Sequence, residues 1–345
     1  MDNASLKSVS QRTQKWDILK FFLIFLVVLG HAADFYTTAN EHMRELFLII
    51  YTFHMPVFIF VSGLFSKKTV KEKRMDKLIG YLVLYLLLKL LPFFYRYPET
   101  KAFGISFFKE SGLPWFMLAL FAFHLITIIL KDCSPKFVLV FSILLACFAG
   151  YDRDIGDFLA LSRIIVFYPF FYMGYIADRE KLEKLCKNKK LKVAAAISVI
   201  AFIAVVIIFT DDVYFLRALL TARNSFASLG NMSKFGGLLR FGYYAVVSAV
   251  GFSVVALTPS KTPFGIAAKF GQRTLAVYAF HFTALYLIYE SFNCKELIFE
   301  ALGRGGDWLI IPVSVIVTLL FSVNIFNRFL LFIMKAPVMK NGSRN

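Results

Sequence analysis

The amino-acid sequence predicts an all-α fold, a polytopic integral membrane helix bundle of about ten transmembrane helices. Two features of composition support this fold class: 59% of the 345 residues are hydrophobic and only 18% are charged, whereas soluble domains are about a quarter charged. The third feature is the pattern, because apolar residues form runs of about 20, the length that crosses a bilayer as a helix, without the alternation of a membrane barrel. These features exclude a soluble enzyme, a disordered chain and a disulfide scaffold.

Ten apolar segments account for the predicted helix count. In chain order they are 17–35, 45–65, 78–95, 113–130, 137–150, 158–177, 193–210, 238–258, 274–290 and 308–334. They make residues 17–334 one membrane domain and leave 1–16 and 335–345 as cytoplasmic tails. A second interpretation of the start is a cleaved signal peptide, since basic residues precede the first apolar run. Asp17 and Lys20 interrupt that run and disfavour this interpretation.

The basic charge of the chain indicates orientation. The chain has 39 Lys and Arg against 22 Asp and Glu, a formal net charge of +17. With both termini inside, the inner segments carry more than twice the Lys and Arg of the outer ones, as the positive-inside rule requires. We therefore expect an N-in/C-in protein of the plasma membrane, most simply a bacterial inner membrane, with the lipid bilayer rather than nucleic acid as its partner. The four cysteines show no metal-binding spacing, so no metal is expected.

Of the ionisable residues inside the predicted spans, where burial of a polar group indicates a functional site, five mark a possible path. They are Lys20, His31, His54, Arg163 and His281. At 1.5 Å per residue, His31 and Arg163 each lie about 14 residues, or roughly 21 Å, from the inner ends of their spans. His54 lies roughly 16 Å and His281 roughly 10–12 Å from the inner face, so the five form a possible polar path across the bundle.

Three of these residues, and His124 in the fourth span, also have a structural interpretation. A buried histidine is commonly a hydrogen-bonded core residue, which applies to His54, to His281 and most strongly to His124. Arg163 cannot lose its proton to escape burial. Its structural alternative is an ion pair with Asp157 or contact with the outer surface.

Two motifs resemble the acyltransferase family 3 membrane proteins. The family has an acidic residue, an Arg, ten residues and a His in its opening helix, and this sequence has Asp17, Lys20, ten residues and His31. The segment 53–63, Phe-His-Met-Pro-Val-Phe-Ile-Phe-Val-Ser-Gly, is similar to the family's second helix, which ends in Ser-Gly. The Leu-Gly-His and Phe-His-Met-Pro sequences are similar to the branch of fucose 4-O-acetylase-like proteins. Lys20 departs from the usual Arg, which replaces a planar fork by a point charge.

Weaker similarities extend the resemblance over nearly the whole chain. They are Pro-Trp-Phe around Trp115, the segment 167–174 that ends in Met-Gly, and the segment 271–281, which contains Tyr278 and His281.

The resemblance implies transfer of an acyl group, usually acetyl, from acetyl-CoA to a hydroxyl of a cell-surface polysaccharide or its lipid-linked precursor. His31 is the expected general base, because imidazole titrates near neutral pH, with a transient acyl-imidazole as the less favoured role. Arg163 or Lys20 is expected to stabilise the oxyanion of the tetrahedral intermediate. Asp34, one turn beyond His31, either holds the histidine tautomer or is an accidental neighbour.

The remaining site predictions concern binding. Nine residues are expected to bind substrate or acyl-CoA: Asp17, His54, Ser62, Lys73, Arg74, Lys77, Trp115, Tyr278 and His281. The basic loop 67–77 is placed to receive the phosphates of CoA, although a positive-inside loop looks the same without a ligand. A glycan or glycolipid is the expected acceptor, and a homo-oligomer or a complex with glycan-assembly proteins stays open.

Two hypotheses from other classes compete with the enzyme. Polar residues at mid-depth also occur in transporters and flippases of polysaccharide precursors or small polar solutes, although the sequence shows no repeat between its halves. A membrane sensor or partner-binding subunit would not need the spacing from Lys20 to His31.

Overall fold

The protein is all-helical in the part of the chain that its computed structural model describes, residues 14–100, 108–110, 112–262 and 265–335. One isolated antiparallel bridge, between Lys109 and Phe158, is the extended pairing among these residues. The α-helices are α1 Lys15–Asp34, α2 Glu41–Leu64, α3 Lys67–Lys71, α4 Met75–Thr100, α5 Trp115–Ile129, α6 Pro135–Ala149, α7 Leu161–Ile176, α8 Arg179–Leu185, α9 Lys189–Ile208, α10 Thr210–Val213, α11 Arg217–Leu220, α12 Gly236–Leu257, α13 Ile266–Gly271, α14 Thr274–Tyr286, α15 Cys294–Leu302, α16 Ile310–Phe321 and α17 Asn324–Met334.

The helices confirm the all-α membrane class in its coarse form. Five helical stretches are long and apolar enough to cross a membrane: Lys15–Asp34, Glu41–Leu64, Lys189–Ile208, Phe226–Leu257 and Cys294–Phe321. Shorter apolar helices overlap other predicted spans, among them α5, α6 and α7. The count of ten spans and the N-in/C-in orientation stay predictions. The tails predicted at 1–16 and 335–345 lie almost wholly outside the described residues.

The tenth predicted span differs from the structure. Segment 308–334 is expected as one helix, but it forms α16 and α17, separated at Ser322 and Val323. Val323 has extended dihedral angles, φ −65° and ψ 141°. The Ser322 hydroxyl donates to the carbonyl of Thr318 at 2.7 Å, so this side chain satisfies a backbone acceptor at the end of α16. The apolar run therefore bends between two short helices.

Helix α1 lies at the centre of the bundle and α9 at its edge. Leu19, Leu23 and Val28 on α1 are fully buried, because α1 packs against α2, α13, α14 and α16. In contrast, only 11% of the apolar window of α9 is buried within the protein. The apolar residues of α9 therefore face the surroundings of the bundle, where a bilayer satisfies them, while α1 carries its polar residues into the interior.

Helices α2 and α7 approach each other through two glycines. A Cβ atom at Gly63 would overlap the carbonyl oxygen of Phe171, and one at Gly174 would overlap that of Phe60. Small residues allow this backbone approach between helices in membranes. The Ser-Gly end of segment 53–63 and the Met-Gly end of segment 167–174 therefore meet as a packing contact, which fixes the helices that carry much of the site.

Candidate active site

One end of the bundle encloses a polar cavity of about 290 Å³. The residues around it come from α1, α2, α5, α7, α11 and α14, and those that the chemistry uses are His31, Tyr51, His54, Trp115, Arg163 and Tyr278. His31 and Arg163, which the depth arithmetic places at the same level, do line one cavity. Of the five ionisable residues of the predicted path, His31, His54 and Arg163 line the cavity, whereas His281 and Lys20 do not.

His31 stands in the last turn of α1 and lines the cavity. Its Nδ1 lies 3.3 Å from the hydroxyl of Tyr51, and its ring meets Phe282 edge to face with centroids 5.5 Å apart. Tyr51 is itself held by Phe47, whose ring stacks on it at 3.7 Å, and by His54 at 4.9 Å. Among the described residues, the side-chain hydrogen bond of His31 is thus made with a tightly packed tyrosine.

Two further histidines have defined tautomers. His54 Nδ1 donates to the carbonyl of Ile50 at 2.7 Å, and His281 Nδ1 donates to the carbonyls of Val277 and Tyr278, both at 2.9 Å. A carbonyl only accepts, so each Nε2 carries the lone pair. His281 is fully buried, and its Nε2 has no hydrogen-bond partner among the described residues. Its ring centroid lies 5.3 Å from that of His31, so it packs directly behind the expected base.

His124 has the same backbone hydrogen bond, with Nδ1 donating to Leu120 at 2.7 Å. Its ring packs against Tyr81 and Phe171 and does not line the cavity. These contacts are those of a core histidine, as the sequence favours for this position.

Arg163 lies in the first turn of α7 with its guanidinium 5.1 Å from the Trp115 ring. Its Nη1 donates to the carbonyl of Glu110 at 3.4 Å, a long hydrogen bond. The predicted structural alternative, an ion pair with Asp157, is wrong, because Asp157 accepts a bidentate pair from Arg223 at 2.7 and 2.8 Å. Among the described residues, no carboxylate forms an ion pair with Arg163. Arg163 is therefore a buried cation that faces the cavity with N–H groups that are not engaged in hydrogen bonds to described residues.

The rim of the cavity carries residues that the sequence does not single out. Arg217 donates to Asp34 at 2.6 Å and packs over the Phe47 ring at 4.4 Å. Asp34 is therefore used by Arg217, and the partner of His31 is Tyr51 instead. Arg217 and Arg223 also line the cavity. Tyr51 could have been found from the sequence, because it lies one turn before His54. The two arginines could not, because the segment around them has no periodic pattern.

Lys20 lies at the opposite end of α1 from His31. Its Nζ pairs with Asp17 at 2.8 Å, and Asp17 also accepts from Gln272 at 3.2 Å. Eleven residues of helix separate Lys20 from His31, about 16 Å, and Lys20 does not line the cavity. The geometry therefore does not support Lys20 as an oxyanion donor beside His31. Gly271 fits this cluster, since a Cβ there would overlap the Asp17 carbonyl.

Two more predicted binding residues are placed by α5 and α14. Trp115 opens α5 and stacks near Phe167, with centroids 5.5 Å apart. The Tyr278 hydroxyl donates to the carbonyl of Leu113, which ties α14 to the start of α5. Ser62, in contrast, donates to its own helix at Phe58, 2.9 Å away, and lies beside the Gly63 contact instead of in the cavity.

The basic loop is ordered at the far end of the bundle from His31. Arg74 pairs with Asp76 at 2.7 Å, and this hydrogen bond lowers the pKa of the Asp76 carboxyl. Lys77 donates to Thr69 at 3.3 Å, and Lys73 has a positive φ of 47°. About 13 residues of α2, roughly 20 Å, separate Tyr51 from this end. The donor and acceptor sites predicted from the sequence thus lie at opposite ends. Among the described residues, no group of three His, Cys, Asp or Glu side chains is placed to hold a metal ion.

A bundle of apolar helices around a half-buried histidine and a buried arginine defines a class, the membrane proteins with a polar cavity between their helices. A comparison with known families then specifies the class. The family profile described as "Acyltransferase domain" matches residues 14–327. The chain belongs to this acyltransferase family, as the two motifs predict, and this membership supports a membrane acyltransferase over a transporter or a sensor.

Curated relatives are similar over part of their length. The nodulation protein NolL of Sinorhizobium fredii is 26% identical over 202 residues, which cover 53% of this chain and 54% of that protein. The nodulation protein NolL of Mesorhizobium japonicum is 25% identical over 185 residues, 48% of each chain. This chain therefore spans about half the length of the curated relatives it matches. No solved structure matches it significantly.

Proposed function

We propose that this protein is a membrane O-acyltransferase that moves an acyl group, most simply acetyl, from acetyl-CoA to a hydroxyl of a cell-surface polysaccharide or its lipid-linked precursor. One observation carries the proposal: His31, hydrogen-bonded by Tyr51, lines the same cavity as Arg163, whose guanidinium has no carboxylate partner among the described residues. A base and an oxyanion donor in one chamber are what acyl transfer to a hydroxyl needs. Family membership gives the reaction class, and the plasma membrane is the proposed location.

His31 acts as the general base. When its Nδ1–H donates to the Tyr51 oxygen, Nε2 carries the lone pair that accepts the proton of the acceptor hydroxyl. The hydroxyl oxygen then forms a bond to the thioester carbonyl carbon. The carbon–sulfur bond breaks, and the thiolate of CoA takes up the proton from His31. Direct transfer needs no acyl-enzyme, so no second nucleophile is required.

Arg163 stabilises the intermediate. Its guanidinium has five N–H donors, and one long hydrogen bond to Glu110 uses one of them. Stacking over Trp115 holds the plane of the group without consuming the others. The donors are therefore already oriented when negative charge develops on the carbonyl oxygen, which is the condition for electrostatic stabilisation. Aromatic rings at Trp115 and Tyr278 offer flat faces to a sugar ring.

Acetyl-CoA reaches the cavity from the other end of the bundle. The side chains of Lys73, Arg74 and Lys77 supply positive charge for the phosphates of CoA. The Asp17–Lys20 pair, near the start of α1, lies at the same end of the bundle as these side chains. An extended donor then carries its thioester along the bundle towards His31. In this arrangement Lys20 binds the donor, and Arg163 alone serves the oxyanion.

Replacing His31 by glutamine tests the proposal. Purified protein in lipid nanodiscs is given acetyl-CoA and a glycan acceptor, and both thiol release and the acetyl mass increment are measured. Loss of the general base is expected to lower kcat by about 10²–10⁴. His124→Gln is the matched control, because it changes a buried membrane histidine outside the cavity. Acetylation that survives in His31→Gln at the rate of the control contradicts the mechanism.

A further inference from the structure

An apolar groove of about 590 Å³ opens beside the candidate active site. Its walls come from α2, α9, α11 and α12, and its surfaces are almost entirely side chains such as Val205, Leu219 and Val246. Leu220 of α11 lines both this groove and the polar cavity that contains His31. The apolar groove and the proposed acyl acceptor site thus border on the same leucine side chain.

The groove opens towards the surroundings of the bundle. Leu238, Val246 and Val205 at its margins are 69%, 47% and 51% exposed, and α9 is the most peripheral apolar helix. Gly242 leaves space there, since a Cβ at this position meets no atom within 4 Å. A hydrocarbon chain can therefore enter the groove sideways from the bilayer without crossing polar protein.

A polar side chain in the groove lacks a partner. Tyr243 is 7% exposed and lines the groove, yet its hydroxyl has no hydrogen bond among the described residues. The neighbouring Arg240 stacks on Tyr243 at 5.2 Å, donates to the Leu219 carbonyl at 2.7 Å and has an Nε atom that is also unpartnered. Buried donors of this kind are normally satisfied, and of these two residues Tyr243 lines the groove, so its hydroxyl is a group that can bond to a polar atom of a bound molecule.

The charge around the junction of groove and cavity is positive. Arg217 and Arg223 flank Leu220 in sequence and line the cavity with Arg163. Asp34 and Asp157 neutralise two of the three arginines. The third, Arg163, has no carboxylate partner among the described residues, so the cavity wall keeps a net positive charge, and the guanidinium groups of Arg217 and Arg223 stand nearest to Leu220 in sequence. A molecule with a hydrocarbon tail, one anionic link and a sugar headgroup has the matching order of properties.

We propose that the groove binds the hydrocarbon tail of a phosphate-linked glycolipid, whose phosphate lies at the arginines beside Leu220 and whose sugar enters the His31 cavity. This inference rests on the proposed function and narrows its acceptor from glycans in general to a lipid-linked sugar. The tail anchors the acceptor in the plane of the membrane, so that only the sugar must leave the bilayer surface to meet His31. A free polysaccharide would use the cavity and leave the groove without a role.

Two acceptors that differ only in the tail test the inference. One is a monosaccharide joined by a phosphodiester to a long isoprenoid, and the other is the same sugar phosphate with a methyl group in place of the isoprenoid. Gly242→Phe places a ring in the groove, and Ala245→Phe adds the same ring to α12 at an exposed position that does not line it. The ratio of kcat/KM for the lipid acceptor over the methyl acceptor is measured in detergent for wild type and both variants.

The ratio is expected to fall about tenfold in Gly242→Phe, the effect of excluding roughly two methylene groups from apolar contact, and to stay at the wild-type value in Ala245→Phe. A second readout uses wild-type protein and the isoprenoid acceptor with a photoactivatable group in its tail. Crosslinks are expected in residues 198–206 and 238–250, and the unlabelled lipid acceptor should compete with them far better than phosphatidylglycerol at equal mole fraction.

The outcomes separate this inference from the proposed function. An unchanged ratio in Gly242→Phe, or equal competition by phosphatidylglycerol, overturns the groove as an acceptor site and leaves acyl transfer standing. Crosslinking of the groove by the lipid acceptor, with no acyl transfer to either acceptor, keeps the lipid site and overturns the proposed function.

Discussion

Replacing Tyr51 by phenylalanine removes one hydroxyl group from the candidate active site and keeps the ring. The ring stacks on Phe47 at 3.7 Å and meets His54 at 4.9 Å, and phenylalanine preserves both contacts. The hydroxyl makes one side-chain hydrogen bond, to His31 at 3.3 Å. The variant therefore isolates a single interaction of the proposed base, the one that sets which of its ring nitrogens carries the proton.

The expected size of the effect follows from this geometry. A neutral hydrogen bond contributes about 0.5–1.5 kcal/mol, and the 3.3 Å separation is long for such a bond. The His31 ring also faces a cavity of about 290 Å³, so water can replace the lost partner in part. A loss of about 1 kcal/mol corresponds to a decrease of roughly fivefold in kcat, with KM for both substrates close to wild type.

The assay is acetyl transfer in nanodiscs across a range of pH, together with thermal unfolding of each variant. Tyr289→Phe is the matched control, because its buried hydroxyl has no partner among the described residues and its removal breaks no hydrogen bond. The reasoning is refuted by a Tyr51→Phe enzyme within twofold of wild type. A loss beyond a hundredfold refutes it as well, since that would make the Tyr51 hydroxyl a reacting group.

Three further predictions address other parts of the molecule. Arg163→Gln should lower kcat by about 10²–10³-fold with little change in KM, as for the loss of an oxyanion donor, and Arg163→Lys should recover part of the rate because the charge is kept. Steady-state kinetics test this, and a KM that rises by the same factor with kcat unchanged would make Arg163 a binding group instead. Gly174→Val should lower the thermal unfolding temperature through the clash with the Phe60 carbonyl, at a cost of about 1–3 kcal/mol or more, whereas Gly242→Ala, which meets no neighbouring atom, should not. Asp76→Asn releases Arg74 from its ion pair and should lower the KM for acetyl-CoA at low salt, and added salt should remove this effect by screening. A KM for acetyl-CoA that the substitution leaves unchanged at low salt would exclude Arg74 from the donor site.

The sequence predicts much of the fold because hydrophobic length is a local property. Each predicted span overlaps a helix, yet the break at Ser322 and Val323 lies inside an apolar run that contains no glycine or proline there. Local sequence offers no signal for such a break. The lengths of α5, α6 and α7, 15 to 16 residues, likewise depend on the turns that end them instead of on hydrophobicity.

The sequence predicts those parts of the candidate site that depend on how deep a residue lies in its span. It does not predict those that depend on contacts between distant segments of the chain. Counting residues places His31 and Arg163 at one level, and both line one cavity. The same count also separates Lys20 from His31 by about 16 Å along α1, so the motif alone, and not the depth arithmetic, suggests that both residues act at one site. Arg217 reaches Asp34 across 183 residues of sequence, a contact that only the packing of α11 against α1 creates.

The glycine contacts between α2 and α7 have a mechanical consequence for the reaction. Backbones that touch at Gly63 and Gly174 cannot slide or separate without losing that fit. Tyr51 on α2 and Arg163 on α7 are therefore carried by two helices whose backbones are locked together, so a shift of one helix along the other would have to break the glycine contact before it changed the distance between these two side chains.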